Sequence, residues 1–143
     1  MKSNSGEWKV ENGLFALESK MGKEMAKMYE NLDAWKEATN LAVKIYQVTK
    51  NFPKEEIFGI TSQLRRASIS ISSNIAEGAG RKSKKDFKQF VHMASGSLNE
   101  VENLLYICSR LDLIMAASYK ELQELVEKVG RLIGGLLKYL NGK

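Results

Sequence analysis

The run Gln63-Leu64-Arg65-Arg66-Ala67-Ser68-Ile69-Ser70-Ile71-Ser72-Ser73-Asn74-Ile75-Ala76-Glu77-Gly78 admits two readings. Its centre, Ser68 to Ser72, alternates polar and apolar with period two, as a half-buried strand does. Over a longer window Ile57, Ile60, Leu64, Ala67, Ile71 and Ile75 recur at steps of three and four, the signature of one helical face. The first reading gives a mixed fold and the second an all-α fold. Both flanks are strongly helical and no partner strand is visible elsewhere, so the segment is read as a helix from about Lys54 to Glu77. Pro53 suits its first turn, and Glu55 and Glu56 its positive end. Gly78 and Gly80 are expected to close it.

Upstream, Leu32, Trp35, Ala38, Ala42, Ile45 and Val48 form one stripe of a helix ending near Asn51, because Phe52 precedes Pro53. Downstream, Ser83 and Asp86 resemble a capping box with a shorter acid. Phe87, Phe90, Val91, Ala94, Leu98, Val101, Leu105 and Cys108 then follow on one face to about Leu111. Ser118 and Glu121 form a complete capping box for a last helix carrying Leu122, Leu125, Val129, Leu132, Ile133, Leu136 and Leu140, ended by Asn141-Gly142. Four amphipathic helices with short connections predict an antiparallel up-down four-helix bundle over residues 28–143. Interior Gly96, Gly134 and Gly135 are expected to mark close helix approach, since Gly costs about 1 kcal/mol inside a helix. Residues 1–27 read as an N-terminal extension, partly helical or disordered. Phe15 to Met28 keeps a rough helical spacing that Gly13 and Gly22 weaken.

Composition agrees with one soluble domain. The chain has 143 residues, 43% of them hydrophobic and 27% charged, with one Pro and one Cys. A single Cys excludes an intrachain disulfide and a thiolate metal cluster. No apolar run reaches the ~18 residues of a spanning helix, and no signal sequence is visible, so a cytoplasmic, microbial protein is expected. Di-iron bundles need Glu-x-x-His, but Gln89 stands three residues before His92, the only histidine. His92 is expected on the surface or between helices. Gly78-Ala79-Gly80-Arg81-Lys82-Ser83 lacks the upstream Gly and strand of a phosphate-binding loop, leaving a modest anion site near Arg81 and Lys82. There is no Gly-x-Ser-x-Gly, and Cys108 falls on an apolar stripe. No catalytic residue, metal or cofactor is assigned, and the protein is expected not to be an enzyme.

The net charge of +5 is unevenly placed. Residues 1–30 hold five Lys and five Glu, whereas residues 65–88 hold seven cations against Glu77 and Asp86. Such clustering is the footprint of a polyanion. Arg66, Ser70, Asn74, Glu77, Ser97, Glu100 and Glu102 lie on or near buried faces, where polar groups must pair. They are read as a structural network, for example Arg66 with Glu100; a ligand pocket is the alternative.

The opening run, with Gly80-Arg81-Lys82-Ser83 and Ala94-Ser95-Gly96-Ser97-Leu98-Asn99-Glu100-Val101-Glu102, resembles the four-helix-bundle family of 23S rRNA intervening-sequence proteins. Trp35 to Tyr46, Phe52-Pro53 and Phe58-Gly59 fit the same pattern, so the likeness covers about residues 29–140. Ser72 stands where the family usually has Pro, which implies a straighter second helix. The resemblance implies a homopentamer with a basic surface and no agreed catalytic residues. A related branch is the accessory variability protein of diversity-generating retroelements, which binds nucleic acid and a reverse transcriptase. On the matched positions, Arg65, Arg66, Arg81 and Lys82 are the candidate nucleic-acid contacts that the resemblance implies, with Arg66 either structural or functional. Lys84, Lys85 and Lys88 join them from charge placement alone. The expected function is a non-catalytic, homo-oligomeric bundle that binds structured RNA or DNA. The rival is a protein-interaction scaffold or an accessory subunit, for example of a reverse transcriptase.

Overall fold

A computed structural model describes residues 9–11, 14–16 and 32–142. Four helices carry the fold: α1 Asp33–Thr49, α2 Ile60–Ala79, α3 Lys84–Arg110 and α4 Ala116–Asn141. Each packs on the next in sequence, and α4 returns to α1, with no close backbone approach across either diagonal among the described residues. This is an up-down-up-down bundle. The α1–α2 and α3–α4 connections lie at one end, and the α2–α3 connection lies at the other, beside the end of α4.

The core is aliphatic. Leu41, Ile45, Leu64, Ile71, Ile75, Val91, Val101, Leu105, Leu122 and Val129 are completely or almost completely buried. On α1 the buried row is Ala34, Ala38, Leu41, Ile45 and Thr49, so the expected stripe is rotated: Trp35, Ala42 and Val48 flank the core. Lys44–Glu121 at 2.9 Å and Lys128–Glu37 at 3.3 Å tie α1 to α4 on the surface.

The run at 68–72 is helical throughout. Ser68 Oγ donates to the Arg65 carbonyl at 2.8 Å, and Ser72 Oγ to that of Ile69 at 3.3 Å. Each hydroxyl is thus satisfied by its own helix. Ile71 is buried and Ile69 exposed, the 100° step of a helix made visible.

Several boundaries differ from expectation. The second helix begins at Ile60, not Lys54. Pro53 leads only into a 3₁₀ turn, Lys54–Glu56, and Gly59, at φ −109° and ψ −118°, stands outside the helical region. Ile57 and Phe58 consequently point to solvent, Phe58 with 96% exposure. Gly78 lies inside α2 rather than ending it, and Gly80 is the cap. A Cβ on Gly78 would stand 2.7 Å from Phe90 Cβ and 2.9 Å from Phe87 Cδ1, so this glycine lets α2 and α3 close together. Gly96, Gly134 and Gly135 do the opposite of what was expected. A Cβ at any of them meets nothing within 4 Å. The Ser118 box is not formed: α4 starts three residues earlier, behind Met115, and Glu121 pairs with Lys44 instead. Ser83 does cap α3, accepting from the Asp86 N–H at 3.1 Å.

Near the N-terminus, β1 Lys9–Glu11 and β2 Leu14–Ala16 pair antiparallel, with Val10 opposite Phe15. Phe15 and Ala16 are therefore in a strand, not at the start of a helix. The remainder of the helix expected to Met28 lies outside the described residues.

Candidate nucleic-acid interface

The α2–α3 corner gathers most of the expected cations. Arg81, Lys82, Lys84 and Lys85 are exposed, and Lys88 is half-buried one turn on. Among the described residues, Lys82 and Lys85 have no hydrogen-bond or ion-pair partner. Arg81 donates to Glu77 at 3.0 Å and lies 4.7 Å above the Phe90 ring. Lys84 Nζ stands 5.1 Å from the centroid of Tyr139, and Lys88 Nζ donates to Asn141 Oδ1 at 2.9 Å. The last turn of α4 thus completes this surface and adds Lys138. Spacing along the chain gave no sign of Tyr139 and Asn141, because only the bundle's topology brings them beside α3.

Lys84 and Lys85 occupy the first turn of α3, where the helix presents its positive end. Cations there oppose the dipole, at about 0.3–1 kcal/mol each. Local helix stability does not account for them. They add instead to the field of the free N–H groups at that terminus.

Arg65 is not part of this corner. Fourteen helical positions separate it from Ala79, roughly 21 Å along α2. It is half-buried against α1: its Nε donates to Thr49 Oγ1 at 2.8 Å, and its guanidinium lies 4.6 Å from the Tyr46 ring centroid. Thr49 in turn donates to the Ile45 carbonyl at 2.8 Å.

The polar residues expected between helices divide into two groups. Asn74 Nδ2 donates to the Ser70 carbonyl at 2.8 Å and to Ser70 Oγ at 3.0 Å, and Ser97 Oγ donates to Ser70 Oγ at 2.9 Å, joining α2 to α3. Arg66 and Glu100 form no ion pair; both are exposed and open onto a groove of about 450 Å³ with Phe58, Ser70 and Ser97. Glu77 is taken by Arg81, and Glu102 is exposed above the α3–α4 seam.

His92 is exposed. Cys108 is buried among apolar side chains, and burial, with a smaller push from the Glu56 carboxylate, raises its thiol from 9.0 to about 11. Among the described residues no group of three His, Cys, Asp or Glu is placed to hold a metal ion, and no helix is long and apolar enough to cross a membrane.

No curated protein matches the sequence. Among solved structures, the chain is similar to a protein of unknown function from the S23 ribosomal protein family of Bacteroides thetaiotaomicron VPI-5482. That likeness has a TM-score of 0.68 at 24% identity and covers 73% of this chain and 95% of the other, which is a likeness of fold. The profile of the 23S rRNA-intervening sequence proteins matches residues 30–135, from just before α1 to the last turns of α4. The chain belongs to the 23S rRNA-intervening sequence protein family.

Proposed function

We propose that the protein is a non-catalytic, homo-oligomeric bundle of the cytoplasm that binds structured RNA or DNA through phosphates at the α2–α3 end. The observation that carries this reading is the pair Lys82 and Lys85, exposed and without a partner among the described residues at the positive terminus of α3. Arg81, Lys84, Lys88 and Lys138 widen the same field. The contacts are to backbone phosphates, which position a protein on nucleic acid without reading its sequence. Arg65, held by Thr49 and Tyr46, supports the bundle in this reading and makes no phosphate contact. The test is binding of labelled structured RNA by the Lys82→Glu/Lys85→Glu variant, whose affinity should collapse while its helicity stays that of the native protein. Unchanged affinity would remove the assignment.

The second reading, an interaction scaffold or accessory subunit, is favoured by the groove between α2 and α3. Arg66 and Glu100 stand there without mutual pairing beside the almost fully exposed Phe58 ring. It predicts that Phe58→Asp lowers the oligomeric mass in light scattering, or abolishes capture of a protein partner, with RNA affinity per protomer unchanged. The pentamer implied by family resemblance is read from the same light-scattering experiment.

A further inference from the structure

The basic end carries an aromatic side chain that charge alone does not explain. Tyr139 lies in the last turn of α4 and is 66% exposed. Its ring buries too little to serve the core, whose α4 side chains at this end are Leu136 and Leu140. Lys84 Nζ stands over that ring at 5.1 Å. Four positions along α3, Lys88 is held to Asn141, 53 positions away in sequence. A largely exposed aromatic ring, with Lys84 over one face, therefore sits within a row of cations, and Lys85 next to it has no partner among the described residues.

Cations that follow a phosphate backbone, interleaved with an aromatic ring on which a base can stack, are what single-stranded nucleic acid requires. A duplex keeps its base faces inside its own stack and offers only phosphates. Resting on the nucleic-acid reading above, we infer that Tyr139 is a stacking platform for an unpaired nucleobase. Lys84 and Lys85 neutralise the phosphates beside that base. The ligand class is then nucleic acid presenting a single-stranded segment, as a loop, a bulge or an end. Stacking uses a face that every base has, so the site discriminates unpaired from paired nucleotides, and not one base from another.

The test is fluorescence anisotropy of the full chain against two labelled probes: a short unstructured single-stranded RNA, and a blunt RNA duplex of the same length. Tyr139→Ala should weaken single-strand binding by about 5- to 150-fold and leave duplex binding unchanged. Tyr139→Phe and Tyr139→Trp keep the ring and should bind the single strand at least as well as the native protein. Lys82→Glu/Lys85→Glu should weaken both probes. Tyr139→Ala with unaltered single-strand affinity, or with equal losses for both probes, overturns the stacking role alone. If the double lysine variant binds both probes as the native protein does, or if polyglutamate binds as tightly as RNA, the phosphate reading falls and the stacking site with it.

Discussion

Asp112 is the only non-glycine among the described residues with positive φ, at 57°. It closes α3 in a Schellman arrangement: its N–H donates to the Ser109 carbonyl at 3.1 Å, and the Leu113 N–H donates to that of Cys108 at 3.0 Å. A left-handed L-residue costs about 1–2 kcal/mol, and glycine gives back about 0.5–1 kcal/mol through its freer unfolded chain. Asp112→Gly should therefore stabilise the protein by up to about 1 kcal/mol, read as a rise in the urea midpoint at constant slope. Cys108 yields a prediction in pH. Below about pH 8 the thiol is protonated in both states and contributes no pH dependence. Between 9.0 and about 11 the unfolded chain ionises first, so stability falls as pH rises through that window. The native protein should lose on the order of 2 kcal/mol more than Cys108→Ala between about pH 8 and pH 11. Equal losses in urea titrations at the two pH values would show that the thiol is not held protonated by its surroundings. The buried, apolar position of Cys108 was legible in its place on the stripe. The role of Asp112 was not, because a left-handed cap in Asp carries no periodic signal.

Among the elements, the end of α2 closes against α3 at Gly78, where no side chain stands between them. Replacing it with Ala gains about 1 kcal/mol of helix propensity. The new methyl would nevertheless meet Phe90 Cβ at 2.7 Å and the Phe87 carbonyl at 3.2 Å, and neither is the free end of a flexible chain. Overpacking of this kind costs about 1–3 kcal/mol. Gly78→Ala should destabilise on balance in thermal melts, whereas Gly134→Ala, whose methyl meets nothing, should stabilise by about 1 kcal/mol. Helix existence was readable here from spacing, even across the strand-like Ser68–Ser72 run, because hydroxyls can bond back to their own helix. What a glycine does was not readable. Gly78, expected to close its helix, lies inside it as Gly96 and Gly134 lie inside theirs, and of the three only Gly78 has another helix close opposite. The Ser118 box failed for a similar reason. A capping pattern states that a helix can begin there, and the Tyr119 N–H instead bonds the Met115 carbonyl at 2.9 Å, one turn earlier.

For the whole molecule, the up-down topology divides the basic run of residues 65–88 between the two ends of the bundle. Arg65 goes to the α1–α2 seam, and Arg81 to Lys88 go to the opposite end, where α4 delivers Lys138, Tyr139 and Asn141. Charge counting along the chain located the second group and could not separate the first from it, since that separation is a distance along α2. Nor could it add the residues of α4. Phosphate binding at this end, as proposed above, is read from a salt titration of affinity for structured RNA. Each phosphate neutralised contributes a slope of about −0.7 to −0.9 in log affinity against log salt. The native protein should show a slope worth several phosphates, and Lys82→Glu/Lys85→Glu should be shallower by at least about 1.4. A native slope near zero, or the same slope in the variant, would mean that this end does not bind phosphate.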